Sequence, residues 1–111
     1  DTVLAFVSTD FQEFVSDFLP TTFITAYYQA WCEVEGVKPF SKREFELKLP
    51  DHIKEEWEKT TKRPHTAGFN RAVDLRRAEE LPRFRALFYW SDEKHEKPTK
   101  GYLRTKKIPK K

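Results

Sequence analysis

Methionine is absent from this 111-residue chain, cysteine occurs once and glycine three times. A lone Cys32 excludes an internal disulfide, and that fits a reducing, cytoplasmic setting. His52, His65 and His95 are scattered and show no metal-ligand spacing, so neither a metal nor another cofactor is expected. No Gly-rich loop ends in Lys-Ser or Lys-Thr, so nucleotide binding is not expected. Long apolar runs are lacking too, which excludes a segment able to span a bilayer. Val3 to Val7 is too short and lacks the basic flank of a secretory signal. With no Met anywhere and Asp1 at its start, the chain is expected to be a piece of a longer protein. Finally, residues 1–36 contain no Lys or Arg at all.

Aromatic residues, in contrast, are plentiful. Ten Phe, four Tyr and three Trp make up 15% of the chain, enough for one aromatic core in one domain. Residues 1–36 hold six acids, for a charge of −6, while residues 37–111 carry all 21 Lys and Arg, for +9 and an overall +3. One end of such a chain is repelled by phosphate and the other attracted, which points to a polyanionic partner.

The strongest local signal is Phe40 to Leu49. Ser41 and Glu44 have capping-box spacing, Phe40 and Phe45 that of a hydrophobic staple, and Pro50 predicts the helix stop. Phe45 and Leu49 share the buried stripe, leaving Lys42, Arg43, Glu46, Leu47 and Lys48 around the perimeter. Before it, Thr9 and Gln12 with Phe11, Phe14, Val15, Phe18 and Leu19 predict a helix over 9–19 ended by Pro20. Thr22 caps a second, with Phe23, Ala26, Tyr27, Ala30, Trp31 and Val34 on its core face and Gly36 as its stop. A tight turn through Pro39 then makes a helix-turn-helix. Downstream, period-two patterning predicts a hairpin: strand 56–62, tip 63–68, strand 69–76, with a helix over 51–60 as the competing assignment. Residues 77–90 admit helix or strand. Residues 91–111 read as a charged, basic, mobile tail after a domain spanning 1–90.

Trp31-Cys32-Glu33 followed by Gly36, Pro39, Ser41-Lys42-Arg43, Phe45 and Leu49, then Lys62/Arg63, Gly68, Arg71, Val73 and Leu75, resembles a known pattern. It is that of the C-terminal winged-helix domain of phage, plasmid and poxvirus primase-helicases, the replicative AAA+ ATPases of mobile elements. The likeness covers about residues 10–76; the link Pro50–Glu55 and residues 77–111 depart from it. The resemblance implies an α+β, mainly helical winged helix-turn-helix, three helices plus a β-hairpin wing with a C-terminal extension. It favours the hairpin over the helix at 54–62. It also implies a non-catalytic fragment, itself monomeric, of a homo-oligomeric, hexameric ATP-dependent helicase.

Read residue by residue, the chemistry is that of double-stranded DNA binding. Lys42 lies at a helix start, where free N–H groups also engage phosphate. Arg43 has the fork that reads a guanine edge. Leu47 either packs on a neighbour or touches a thymine methyl; Glu46 either accepts from cytosine or, the better reading, pairs with Arg43 or Lys42. Lys48 adds charge. Lys59, Lys62, Arg63, His65 and Arg71 on the hairpin would meet backbone or minor groove, with Lys106 and Lys107 adding salt-sensitive attraction. Catalysis has no candidates: Ser41 is explained by capping, Cys32 by burial as an inert thiol, and the adjacent Glu55/Glu56 and Glu79/Glu80 by solvation. The function expected is origin recognition by a replication initiator-helicase of a mobile element. A protein-docking winged helix and a winged-helix transcriptional regulator are the alternatives.

Overall fold

A computed structural model describes residues 1–106. Its first helix starts earlier than predicted. The Asp1 carboxylate accepts from Val3 N at 2.8 Å and caps α1, Thr2–Ser8. Thr9, expected to open a helix, closes this one: its hydroxyl donates to Ala5 O at 2.7 Å. The predicted 9–19 helix is instead a 3-10 turn, Phe11–Glu13, followed by strand β1, Phe18–Pro20. The aromatic spacing is real, but the rings point into the core from an irregular backbone.

Helix α2, Thr21–Glu35, ends as the sequence predicts, but it opens directly after Pro20 with no side-chain cap. Thr22 therefore lies inside its first turn rather than capping it, and Val34 is exposed near its end. Gly36 takes the left-handed conformation (φ 69°) and donates to Cys32 O and Glu33 O. Trp31 and Cys32 are buried, and burial pushes the Cys32 thiol up, as an inert cysteine requires. Helix α3, Lys42–Ile53, is capped by Ser41, whose Oγ accepts from Glu44 N at 3.2 Å. The return bond of the capping box is not formed among the described residues. Pro50 does not end the helix. A proline removes one backbone bond but leaves the chain free to continue, and Ile53 extends the Phe45–Leu49 stripe into the core.

The sheet departs most from expectation. Strand β2, Trp57–Lys62, lies where the hairpin reading put it, and excludes the helix over 51–60. Its partner is not 69–76 but β3, Thr99–Arg104. The antiparallel order is β1-β3-β2, so a segment expected to be a mobile tail supplies the central strand. Gly101 is needed there, because a Cβ would come 2.4 Å from Leu19 O and 2.6 Å from the Phe18 ring. The result is an α+β, mainly helical, winged-helix-like fold whose wing strands are joined through residues 63–98 rather than a short tip.

That connection is helical: α4, Pro64–Ala67; a π-type turn, Arg71–Leu75; α5, Arg76–Glu79; α6, Phe84–Leu87; and α7, Asp92–Glu96. Local side chains override the period-two pattern of 69–76. Asn70 accepts from Val73 N at 3.1 Å, and Asp74 turns inward. The connection docks on α2 through aromatic edges, Phe69 and Phe84 each meeting Phe23.

Its outer end is held by a histidine pair. His95, 6% exposed, meets the His65 ring edge-on at 5.2 Å and lies near Phe69 and Trp90. Its Nδ1 is buried without a partner. Burial, then Arg71 and His65, hold its pKa below the ordinary 6.5, against the opposing pull of Asp92 and Glu96. A histidine kept neutral in the fold binds fewer protons than the unfolded chain, so stability is full above about 6.5 and falls as pH drops below it. Urea midpoints at neutral and mildly acidic pH should show this loss, and His95→Gln should flatten it.

Candidate nucleic-acid interface

Helix α3 is anchored from one side. Phe45 is fully buried and stacks on Tyr28 of α2, with centroids 4.2 Å apart and planes 14° from parallel. The Tyr28 hydroxyl accepts from Phe40 N at 3.0 Å and pairs with Thr2 Oγ1 at 2.8 Å, fixing the turn into the helix. Burial pushes the Tyr28 pKa up, so the hydroxyl keeps the proton it shares in this clasp.

A helical step of about 100° decides what faces out. Arg43 and Leu47 each lie two positions from Phe45, hence on the far side of the helix. Both are exposed, Leu47 at 69%, and Arg43 forms no ion pair among the described residues. Lys42 and Glu46 flank the buried stripe and turn toward a groove against α2 and residues 87–94. The expected Glu46 pairing with Arg43 or Lys42 is not formed among the described residues. Lys48 is half-buried, its Nζ 4.9 Å from the Phe40 ring centroid. The helix is charge-balanced: Lys42, Arg43 and Lys48 face Glu44, Glu46 and Asp51.

Positive charge is denser on the wing. Lys59, Lys62 and Arg63 are exposed on and just after β2. Lys100 pairs opposite Thr61, on the same sheet face as Lys59. The sequence reading counted Lys100 only as tail charge; the register alone brings it to the wing. Tyr102 of β3 is buried, and burial and then the Glu46 carboxylate push its pKa up.

Two predicted residues are placed differently. Arg71 lies in the connection, not on a hairpin strand, and donates to Asp92 Oδ1 at 2.7 Å. His65 lies in α4 against His95. Lys106 is exposed just beyond β3, and Lys107 lies outside the described residues. No group of three or more His, Cys, Asp or Glu able to hold a metal occurs among the described residues. Nor is any described helix long and apolar enough to cross a membrane.

A polar knot missed by the sequence reading holds this geometry. Asp74, fully buried, accepts from Val15 N, Ser16 N and Ser16 Oγ. Ser16 Oγ in turn accepts from Asn70 N at 2.8 Å. Arg104, at the end of β3, donates to Phe14 O and Ser16 O and lies 4.4 Å over the Trp57 ring. These bonds join the entry to β1, the connection and the central strand. In sequence Asp74 was one more polar position in an alternating run, with nothing to mark it as buried.

The family model described as "Poxvirus D5 protein-like" matches residues 1–83, the stretch from α1 through α5. No curated protein and no solved structure matches the chain.

Proposed function

The chain belongs to the poxvirus D5 protein-like family, and from that premise we propose that it is the double-stranded-DNA-binding domain of a replication initiator of primase-helicase type. The observation that carries the reading is α3. Its inner face is locked by the Tyr28–Phe45 stack, while Arg43 and Leu47 project outward with no partner among the described residues. An exposed arginine on an anchored helix is what direct readout of a guanine edge requires. Leu47 then supplies the apolar neighbour suited to a thymine methyl.

The charge-balanced helix divides the labour. Phosphate contacts give most of the affinity in such complexes, and here they fall to Lys59, Lys62, Arg63 and Lys100 on the wing. Lys106 and Lys107 add to this sequence-blind attraction. The ATPase of an oligomeric parent helicase lies outside this chain on this reading, and the chain itself is non-catalytic and monomeric.

One observation favours a second reading. Leu47 is exposed on a helix of no net basic excess, as on a surface that docks another protein. Mobility shifts with origin-derived duplex at two salt concentrations separate the two. DNA binding predicts a retained complex that weakens steeply with salt; a docking module predicts none at either. Within the first reading, Arg43→Ala should lose about 1–3 kcal/mol of discrimination between sites. Lys62→Ala should weaken all duplexes alike and lower the salt slope by about one. Uniform loss on Arg43→Ala would remove α3 as the reading helix.

A further inference from the structure

Beside the outward face of α3 lies a second feature that duplex binding leaves unused. A groove of about 230 Å³ opens between α2, the start of α3 and residues 87–94. Its lining includes Thr25, Gln29, Lys42, Glu46, Tyr89 and Lys94. Two cations thus reach one small space from elements far apart in sequence. Tyr89 at its side is 74% exposed, the most exposed large hydrophobic side chain among the described residues, with Lys94 Nζ 5.5 Å from its ring centroid. Lys94 also donates to Tyr89 O at 3.1 Å, which fixes the backbone beneath the ring.

We propose that this groove seats one unpaired nucleotide of a DNA strand, its base stacked on Tyr89 and its phosphate held between Lys42 and Lys94. The chemistry of the lining is what selects this occupant. An exposed aromatic ring beside lysines is the platform on which single-stranded bases stack, whatever their identity. Gln29 and the Glu46 carboxylate supply the donors and acceptors that base edges need. The space is below the ~300–1,000 Å³ typical of pockets that enclose a drug-sized ligand, so it suits a single base or phosphate. Lys42 is also the first residue of α3, so the groove adjoins the face proposed to lie in the major groove. A strand leaving the end of a duplex held there meets Tyr89 next. The domain then recognises a junction between paired and unpaired DNA, a partner more specific than duplex alone. The assignment rests on the duplex reading for its placement, though the groove can be tested separately.

Fluorescence anisotropy on the 111-residue chain supplies the test, with one labelled duplex in two forms, blunt and bearing a short thymidine overhang. The overhang should tighten binding roughly tenfold or more. Tyr89→Ala should abolish that gain and leave blunt-duplex affinity unchanged, while Tyr89→Phe, which keeps the ring, should retain it. Lys94→Ala should reduce it. Thermal melts of each variant should match the parent, since both side chains are exposed. Equal affinity for the two forms, or equal losses from both on Tyr89→Ala, would overturn the proposal. A free mononucleotide competing as well as the overhang would likewise overturn it in favour of a small-molecule site. Binding of the overhang without the blunt duplex would remove the duplex reading and leave the groove standing; binding of neither would remove both.

Discussion

Asp74→Ala should destabilise the domain by about 3–5 kcal/mol, a large part of the roughly 5–15 kcal/mol that holds a typical domain folded. The carboxylate is fully buried and accepts from two backbone N–H groups and one hydroxyl. Alanine removes the acceptors and leaves the donors of Val15 and Ser16 dry and unsatisfied, which costs more than the bonds themselves contribute. It also removes a negative charge near the half-buried Arg104 guanidinium, whose partial burial already pulls its pKa down. Asp74→Asn keeps the shape and one carbonyl acceptor, so its loss should be smaller. Urea unfolding of both variants measures the difference. A midpoint for Asp74→Ala within the range of an ordinary surface substitution would mean that the knot is dispensable.

Phe45→Ala should cost a similar amount, about 3–5 kcal/mol, through the cavity it opens. Its ring stacks on the nearly parallel Tyr28 ring and meets Phe6, whose centroid is 6.0 Å away. Phe6 also meets Phe11, Tyr27 and Trp31, so the gap lies at the centre of the aromatic core. The functional consequence differs from that of Asp74→Ala. Losing this stack frees α3 from α2, so DNA discrimination should fall even at temperatures where the variant remains folded. Phe45→Leu, which refills most of the space, should recover much of the stability. Retained stability in Phe45→Ala would show that α3 is held by something other than this stack.

Some features were legible because they depend on neighbours in the chain. The Ser41 cap, the Gly36 stop and the buried Phe45–Leu49 stripe are set by backbone geometry within one or two turns. Their residues carry the signal wherever the helix packs. Strand β2 was not legible in this way, since residues 51–60 also admitted a helix and only the family resemblance favoured the strand. Pro50 misled because proline lowers helix preference by only a local amount, and burial of Ile53 outweighs it. The predicted 9–19 helix failed where helical spacing of aromatics met a backbone that turns after Glu13 and enters β1.

Pairing across long separations was not legible. Thr99–Arg104 looks like the start of a basic tail, and only its hydrogen bonds to both β1 and β2 make it the central strand. The same holds for Asp74, whose partners lie near residue 16, and for Lys100, which joins Lys59 on the wing through strand register. The sequence by itself determined a short, capped helix that points an arginine away from an aromatic core. Tertiary structure alone decided which strand completes the sheet, the groove beside Lys42 and Tyr89, and the burial of Asp74. Local preferences act over a few residues, whereas burial and strand pairing act over whatever distances the folded chain closes.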